Sequence, residues 1–274
     1  MNAAMTARLI RFQHPEKVLP YLGKLSDDRL AALFGLDPDL YRRLQQDHHE
    51  QARSAAVDLL DDPQFAAKVN RLPFRPGQHV VAIGESTTDD LLSWFEILRH
   101  VLDLQRPDDG ITLTNLAVSG HTTTQALTTL PVVSFHRPDW VLCMLGANDA
   151  QRVGSADGPT LVSLAETERN LRAVRDLLTR RLPARWVWVT PTRVEETLVA
   201  AYQPFQRAGI AWVNHDLDAV AQIMIKQDDL TLDTRHLIAR QSTEPFHLDD
   251  GVHLSLAGQQ SVTAALVDTL TEQS

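Results

Sequence analysis

From residue 79 onward the chain alternates between two textures. Short runs that are apolar throughout read as strands: HVVAIG (79–84), ITLTNLAV (111–118), DWVLCMLG (139–146), RWVWVTP (185–191) and IAWVNHD (210–216). Between them lie patterns of helical period at 91–104, 123–130, 161–182, 193–208 and 217–227, and a last one at 255–273. Strands apolar on both faces are buried on both faces, and strands separated by helices pair in parallel. With right-handed crossovers the result is an α/β fold, a three-layer α/β/α sandwich around a parallel sheet.

The first 75 residues read differently. They hold helical patterns, SDDRLAALFGL (26–36) and PDLYRRLQQDHHEQARSAAVDLL (38–60), and no strand. Ser26 before two aspartates marks a helix start, and Pro38 suits the first turn of the next helix. The segment RLPFRPGQH (71–79) then punctuates the chain with two prolines and a glycine. This divides the protein into a helical N-terminal extension or small accessory domain, 1–75, and a main domain, 76–274. The extension is expected to serve as a lid, a packing extension or a surface for homo-oligomer formation.

Composition narrows the classes. A net charge of -9, with no clustered basic face, argues against nucleic acid as a partner. The arginines between 172 and 185 have helical spacing and are interrupted by Asp176, as on a solvated helix face. No stretch approaches the roughly 18 apolar residues of a membrane span. The N-terminus lacks a sustained apolar core of the secretory type. One cysteine, Cys143, lies in an apolar run and reads as a buried core residue in a reducing compartment, so a cytoplasmic location is expected.

In such sheets, sites form at the carboxyl ends of strands. The first strand ends in GESTTDD, where Ser86 precedes a helix expected to open at Thr88, Asp89 and Asp90. The second ends at Gly120, whose missing side chain lets the backbone approach a ligand. The third ends in LGANDA, where the Asn148 amide can face an oxyanion. The loop HLDDGVHLSLAGQ (247–259) carries Asp250 and His253 three positions apart, with Ser255 as N-cap of the last helix. That spacing lets a carboxylate hold a histidine by its Nδ1–H and leave Nε2 free as a base. Taken singly these features are turns and caps as readily as a site, and Asp-x-x-His is also a metal-ligand spacing. Together they supply a nucleophile, a base, an orienting carboxylate and oxyanion donors.

Over about residues 78 to 272 the sequence resembles the SGNH hydrolases, the GDSL-like esterases and lipases. Ser86 in GES, Gly120 in NLAVSG, Asn148 in GAND and Asp250 with His253 in DGVH match its four blocks in order. The resemblance implies a flavodoxin-like sheet and acyl-ester hydrolysis without cofactor or metal. It assigns Ser86, Asp250 and His253 to a catalytic triad, and the Ser86 and Gly120 amides with the Asn148 side chain to an oxyanion hole. The substrate it implies is a small-molecule or acylated ester. One departure stands out: Glu85 occupies the position of the family's Asp before the serine, so a shifted hydrogen-bond pattern is expected there.

Other readings stay open on the residues alone. The same scaffold serves as an acyltransferase when an alcohol or amine takes the acyl group, or as a binding module without chemistry. A metal-dependent hydrolase would use Asp250, His253 and further histidines, although His48 and His49, adjacent on a helix, point apart. Segments 150–159 and 226–248 are expected to border the pocket, with Arg152, Arg193 and His121 as candidates for contact, each read first as a surface or supporting residue.

Overall fold

The computed structural model describes residues 3–18, 25–237 and 244–272. Five helices come first: α1 (Ala3–Phe12), α2 (Pro15–Val18), α3 (Asp27–Leu33), α4 (Pro38–Leu60) and α5 (Pro63–Val69). There follow β1 (His79–Gly84), α6 (Ser86–Asp89), α7 (Trp94–Gln105), β2 (Thr112–Asn115), α8 (Thr123–His136), β3 (Trp140–Met144) and β4 (Arg152–Val153). Next are α9 (Leu164–Thr179), β5 (Arg185–Val189), α10 (Glu196–Ala201), α11 (Gln203–Ala208), β6 (Ile210–Ala211) and α12 (Asn214–Ile225). The chain continues through β7 (Leu230–Leu232) to α13 (Leu256–Glu272).

The five-stranded sheet has the order β2-β1-β3-β5-β7 and is parallel at every pairing. Alternate side chains of each strand enter opposite cores, as the period of two requires. Val80, Ala82, Leu142, Met144, Val187 and Val189 pack with α4, α5, α7 and α13 through Ala52, Leu59, Phe65, Leu98 and Leu266. Val81, Ile83, Val141, Cys143, Trp186 and Trp188 face the other way, against Leu130, Val174 and Leu217 of α8, α9 and α12. Helices therefore cover both faces. Cys143 is fully buried, and burial pushes its thiol well above the ordinary range.

The first four apolar runs form sheet strands; the fifth does not. In IAWVNHD only Ile210 and Ala211 form strand, and they pair antiparallel with β4 in a separate two-stranded sheet. Asn214 already opens α12, its side chain exchanging hydrogen bonds with the backbone of Val194 at 2.8 and 3.0 Å. The fifth sheet strand is Leu-Thr-Leu at 230–232, too short to form an apolar run of its own. The pattern at 193–208 breaks at Tyr202, the extended residue before Gln203 and Pro204, into two short helices. Phe205, Ile210 and Trp212, beside these two breaks, border one cavity with Ser86.

Several helix starts follow their sequence signals. Asp37 caps α4 by accepting from the amides of Asp39 and Leu40. Ser26 precedes α3 without a side-chain cap bond. Ser255 accepts the Gly258 amide at 3.1 Å, as an N-cap does. The helix after β1, however, begins at Ser86 and not at Thr88. Asp89 and Asp90 consequently sit at its end, where they are buried and bound by cations from the N-terminal segment.

Candidate active site

Ser86 sits at the first turn of α6, directly beyond the carboxyl end of β1, so its amide has no intrahelical acceptor. The loop before α13 brings His253 to it: His253 Nε2 lies 3.1 Å from Ser86 Oγ. The opposite ring nitrogen, Nδ1, lies 2.7 Å from Asp250 Oδ2. Asp250 is 1% exposed, and its Oδ1 accepts the amides of Val252 and His253, each at 2.8 Å. Burial pushes the Asp250 carboxyl up, but the His253 hydrogen bond and charge, with those amides, outweigh it and hold the group down at about 2. Asp250 is therefore a carboxylate at neutral pH, facing a ring nitrogen that can donate to it.

Gly120 and Asn148 border the same cavity as Ser86 and His253. Gly120 has φ +82°, and its N–H donates to no described residue. Asn148 Nδ2 donates to the His121 carbonyl at 3.0 Å, which fixes the amide plane and leaves its second N–H uncommitted. His121 thus supports the site through its backbone, and it lines a neighbouring groove with Lys17 and Leu116. Glu85 is 3% exposed and reaches across to this loop, accepting from the amides of Ala147 at 2.9 Å and Asn148 at 3.0 Å. Desolvation lifts its carboxyl to about 8 despite these donors. Asp149, behind Asn148, accepts from the Thr123 amide and hydroxyl and from Thr167 Oγ1, tying the loop to α8 and α9.

The cavity measures ≈ 440 Å³. Its walls include residues that the sequence did not single out: Leu9, Phe12 and Gln13 at α1, and Phe205, Ile210 and Trp212 across from them. Trp212 is held by a hydrogen bond from its indole N–H to the Ala147 carbonyl at 2.9 Å. Phe12 lies against the imidazole of His253, with ring centroids 4.5 Å apart. Arg8 also borders the cavity, paired with Asp249 and Asp250.

The N-terminal segment is bound to this region by a row of ion pairs. Arg11 clasps both oxygens of the fully buried Asp90 at 2.6 Å and donates to the Leu254 carbonyl. His14 and Lys17 share one oxygen of Asp89 at 2.8 and 2.5 Å, while Ser119 donates its amide and hydroxyl to the other. Buried carboxylates at 89 and 90 require such partners. The acidic pair was visible in the sequence, but neither its burial nor the cations that answer it was.

The segments expected to border the pocket do so elsewhere or not at all. Ala150, Arg152, Gly158 and Pro159 line a separate depression beside α12. Of 226–248, residues 238–243 lie outside the described residues, and the described remainder supplies β7 and no wall of the Ser86 cavity. Arg152 and Arg193 are engaged by Asp216 and Asp218. His48 is buried on α4 with Nε2 3.4 Å from the Ala7 carbonyl, whereas His49 meets the ring of His100 edge-on.

A family model for the GDSL-like Lipase/Acylhydrolase family matches residues 82–261. The chain belongs to this family. It is accordingly a hydrolase of carboxylic esters. Two solved structures have similar folds. Axe2, an acetylxylan esterase from Geobacillus stearothermophilus, is 23% identical, with a TM-score of 0.53 over 72% of this chain and 95% of that one. LAE5, an alpha/beta hydrolase enzyme from the metagenome of Lake Arreo, is 19% identical, with a TM-score of 0.53 over 72% and 96%. No curated protein sequence matches the chain. In this GDSL-like hydrolase the family match begins at residue 82, after α1 to α5, so the helix that walls the cavity lies outside it.

Proposed function

We propose that the protein hydrolyses small, uncharged carboxylic esters through a Ser86–His253–Asp250 triad and an acyl-enzyme intermediate. The observation that carries this reading is the unbroken chain from Ser86 Oγ to His253 Nε2, 3.1 Å, and from His253 Nδ1 to Asp250, 2.7 Å, opening on a cavity bordered by Gly120 and Asn148. His253 Nε2 takes the Ser86 proton as Oγ bonds to the acyl carbon. Charge moves onto the carbonyl oxygen, where the Ser86 and Gly120 amides and the Asn148 side chain receive it, each such donor being worth about 3 kcal/mol of barrier. As the carbon–oxygen bond to the alcohol breaks, His253 returns the proton to the leaving oxygen. Water then attacks the acyl-serine by the same route, releasing the acid and restoring Ser86.

The cavity supports the substrate class. Leu9, Phe12, Phe205, Ile210, Trp212 and Val252 present apolar surface, and Arg8, the cavity's arginine, is already engaged by two carboxylates. A neutral ester fits this lining better than an acidic one. Axe2 has the same fold and is an acetylxylan esterase, which makes acetyl esters the first substrates to test. The wild-type protein is expected to hydrolyse p-nitrophenyl acetate and to be labelled by a fluorophosphonate at Ser86. Ser86→Ala is expected to lose both with its fold intact, and retained hydrolysis in that variant overturns the reading.

A further inference from the structure

We propose that Arg8 is a fourth member of the catalytic hydrogen-bond chain, a positioning residue that fixes the Asp250 carboxylate from the N-terminal helix. An ionised carboxylate has about four acceptor sites. At Asp250 the loop's own amides from Val252 and His253 fill those of Oδ1. Oδ2 faces His253 Nδ1 and, on its remaining side, Arg8 Nη2. Arg8 thus closes the set, and it does so at a carboxylate that is 1% exposed.

The guanidinium fork suits this task. Its other arm, Nη1, donates to Asp249 Oδ1 at 2.6 Å, so one planar group spans two consecutive carboxylates of the loop. The guanidinium also lies over the Tyr202 ring, 5.6 Å from its centroid. One turn along α1, Phe12 packs against the imidazole that Asp250 orients. The helix therefore touches both the carboxylate and the base, and Arg11 anchors it to Asp90 and to the carbonyl of Leu254, the residue after His253.

Two consequences follow from charge and geometry. The carboxylate is held at both oxygens, Oδ1 by two amides of its own loop and Oδ2 by His253 Nδ1 together with Arg8 from α1. Arg8 also sets a permanent positive charge against the same carboxylate oxygen that faces the imidazole, so the electrostatics of the pair depend on it. The other charged or titratable groups around this loop include Asp249, His247, Tyr202, Glu195, whose amide donates to Gly251, Arg11 on the Leu254 carbonyl with its partner Asp90, and Glu85 beside Ser86. None of these sits on Asp250 Oδ2 as Arg8 does.

The test rests on the Ser86–His253–Asp250 reading and uses Arg8→Met and Arg8→Lys of the full chain, with p-nitrophenyl acetate as probe. Arg8→Met is expected to lower kcat about tenfold or more while KM changes little. It is also expected to move the acidic limb of the kcat/KM profile to higher pH, because a permanent cation no longer faces the carboxylate of the pair. Arg8→Lys restores the charge without the fork, so it should return the acidic limb to the wild-type position while recovering only part of kcat. A purely structural role would raise KM, by loosening Leu9 and Phe12, or lower thermal stability, and leave the limb in place; that outcome overturns the proposal. If Arg8→Met fails to fold, Arg8→Lys decides: full wild-type kcat in it overturns the proposal. Retained hydrolysis in Ser86→Ala overturns the underlying triad, whereas a dead Ser86→Ala beside an Arg8→Met of normal kcat and pH profile overturns the role of Arg8 alone.

Discussion

Glu85 and Asn148 are joined across the floor of the site, one carboxylate oxygen of Glu85 accepting the Asn148 amide at 3.0 Å while the other accepts that of Ala147. The residue before Ser86 thereby sets the height of the asparagine loop. Burial raises the Glu85 carboxyl to about 8, against about 4.5 when solvated. A raised folded-state value means that the native state holds a proton the unfolded chain has released. Its stabilising contribution is thus complete below about 4.5 and is lost as pH rises through about 8. Glu85→Gln removes this titration. Thermal melts of both proteins from pH 5 to pH 9 should show the wild type losing stability relative to Glu85→Gln as pH rises, and a constant difference would contradict the assignment.

Asn148→Ala should separate chemistry from folding. The side chain makes one hydrogen bond, to the His121 carbonyl, and its other N–H is uncommitted. On the proposed role of Asn148 as an oxyanion donor, its loss lowers kcat by about a hundredfold to a thousandfold. Steady-state kinetics should therefore show a fall in kcat with little change in KM, and the melting temperature should stay close to wild type.

Arg11→Met tests the anchoring of α1. Asp90 is fully buried, and both its oxygens take the Arg11 guanidinium. Removing one partner of a buried pair strands the other charge, at a cost of about 3 kcal/mol or more. Urea titration should show that loss. Asp90 also receives the Gln259 amide at 3.2 Å, too weak a partner to replace a cation.

Gly251→Ala should disable the loop between Asp250 and His253. Gly251 has φ +72°, and a methyl group there would lie 2.5 Å from the Glu195 carbonyl oxygen and 2.9 Å from the Val199 nitrogen. Backbone atoms cannot move aside, so clash adds to the left-handed strain of about 1–2 kcal/mol. Gly120→Ala makes the control: φ is similar at +82°, but a methyl there meets nothing within 4 Å. Calorimetry should rank Gly251→Ala as much the less stable of the two.

The sequence carried the layers and the positions of the site more clearly than the walls of the cavity. HVVAIG, DWVLCMLG and RWVWVTP announce strands because both of their faces are buried, and β1, β3 and β5 lie inside those runs. That Ser86, Gly120, Asn148 and His253 would border one cavity, with Asp250 against His253, was legible because strand ends and the last loop converge by topology. Ile210 and Trp212 looked like another strand because an apolar run over a cavity has the same composition as one inside a sheet. Leu230 to Leu232 escaped notice because three residues between acidic neighbours make no run. Arg8 and Phe12 could not be assigned from spacing, since nothing local tells a helix which distant loop it will cover. A buried carboxylate announces that it needs a cation and leaves the cation unnamed.

Arg8 and Asp249 are 241 positions apart in the chain, yet one ion pair joins them beside the base. Catalytic competence on this plan is a property of the closed loop from α1 to α13 and of no shorter stretch. Closing so long a loop costs conformational entropy, which these contacts must offset before α1 is seated. A refolding experiment followed by intrinsic fluorescence would then see the sheet and its tryptophans settle first. Turnover would return as a separate, slower signal, timed by the arrival of the first helix at the last loop.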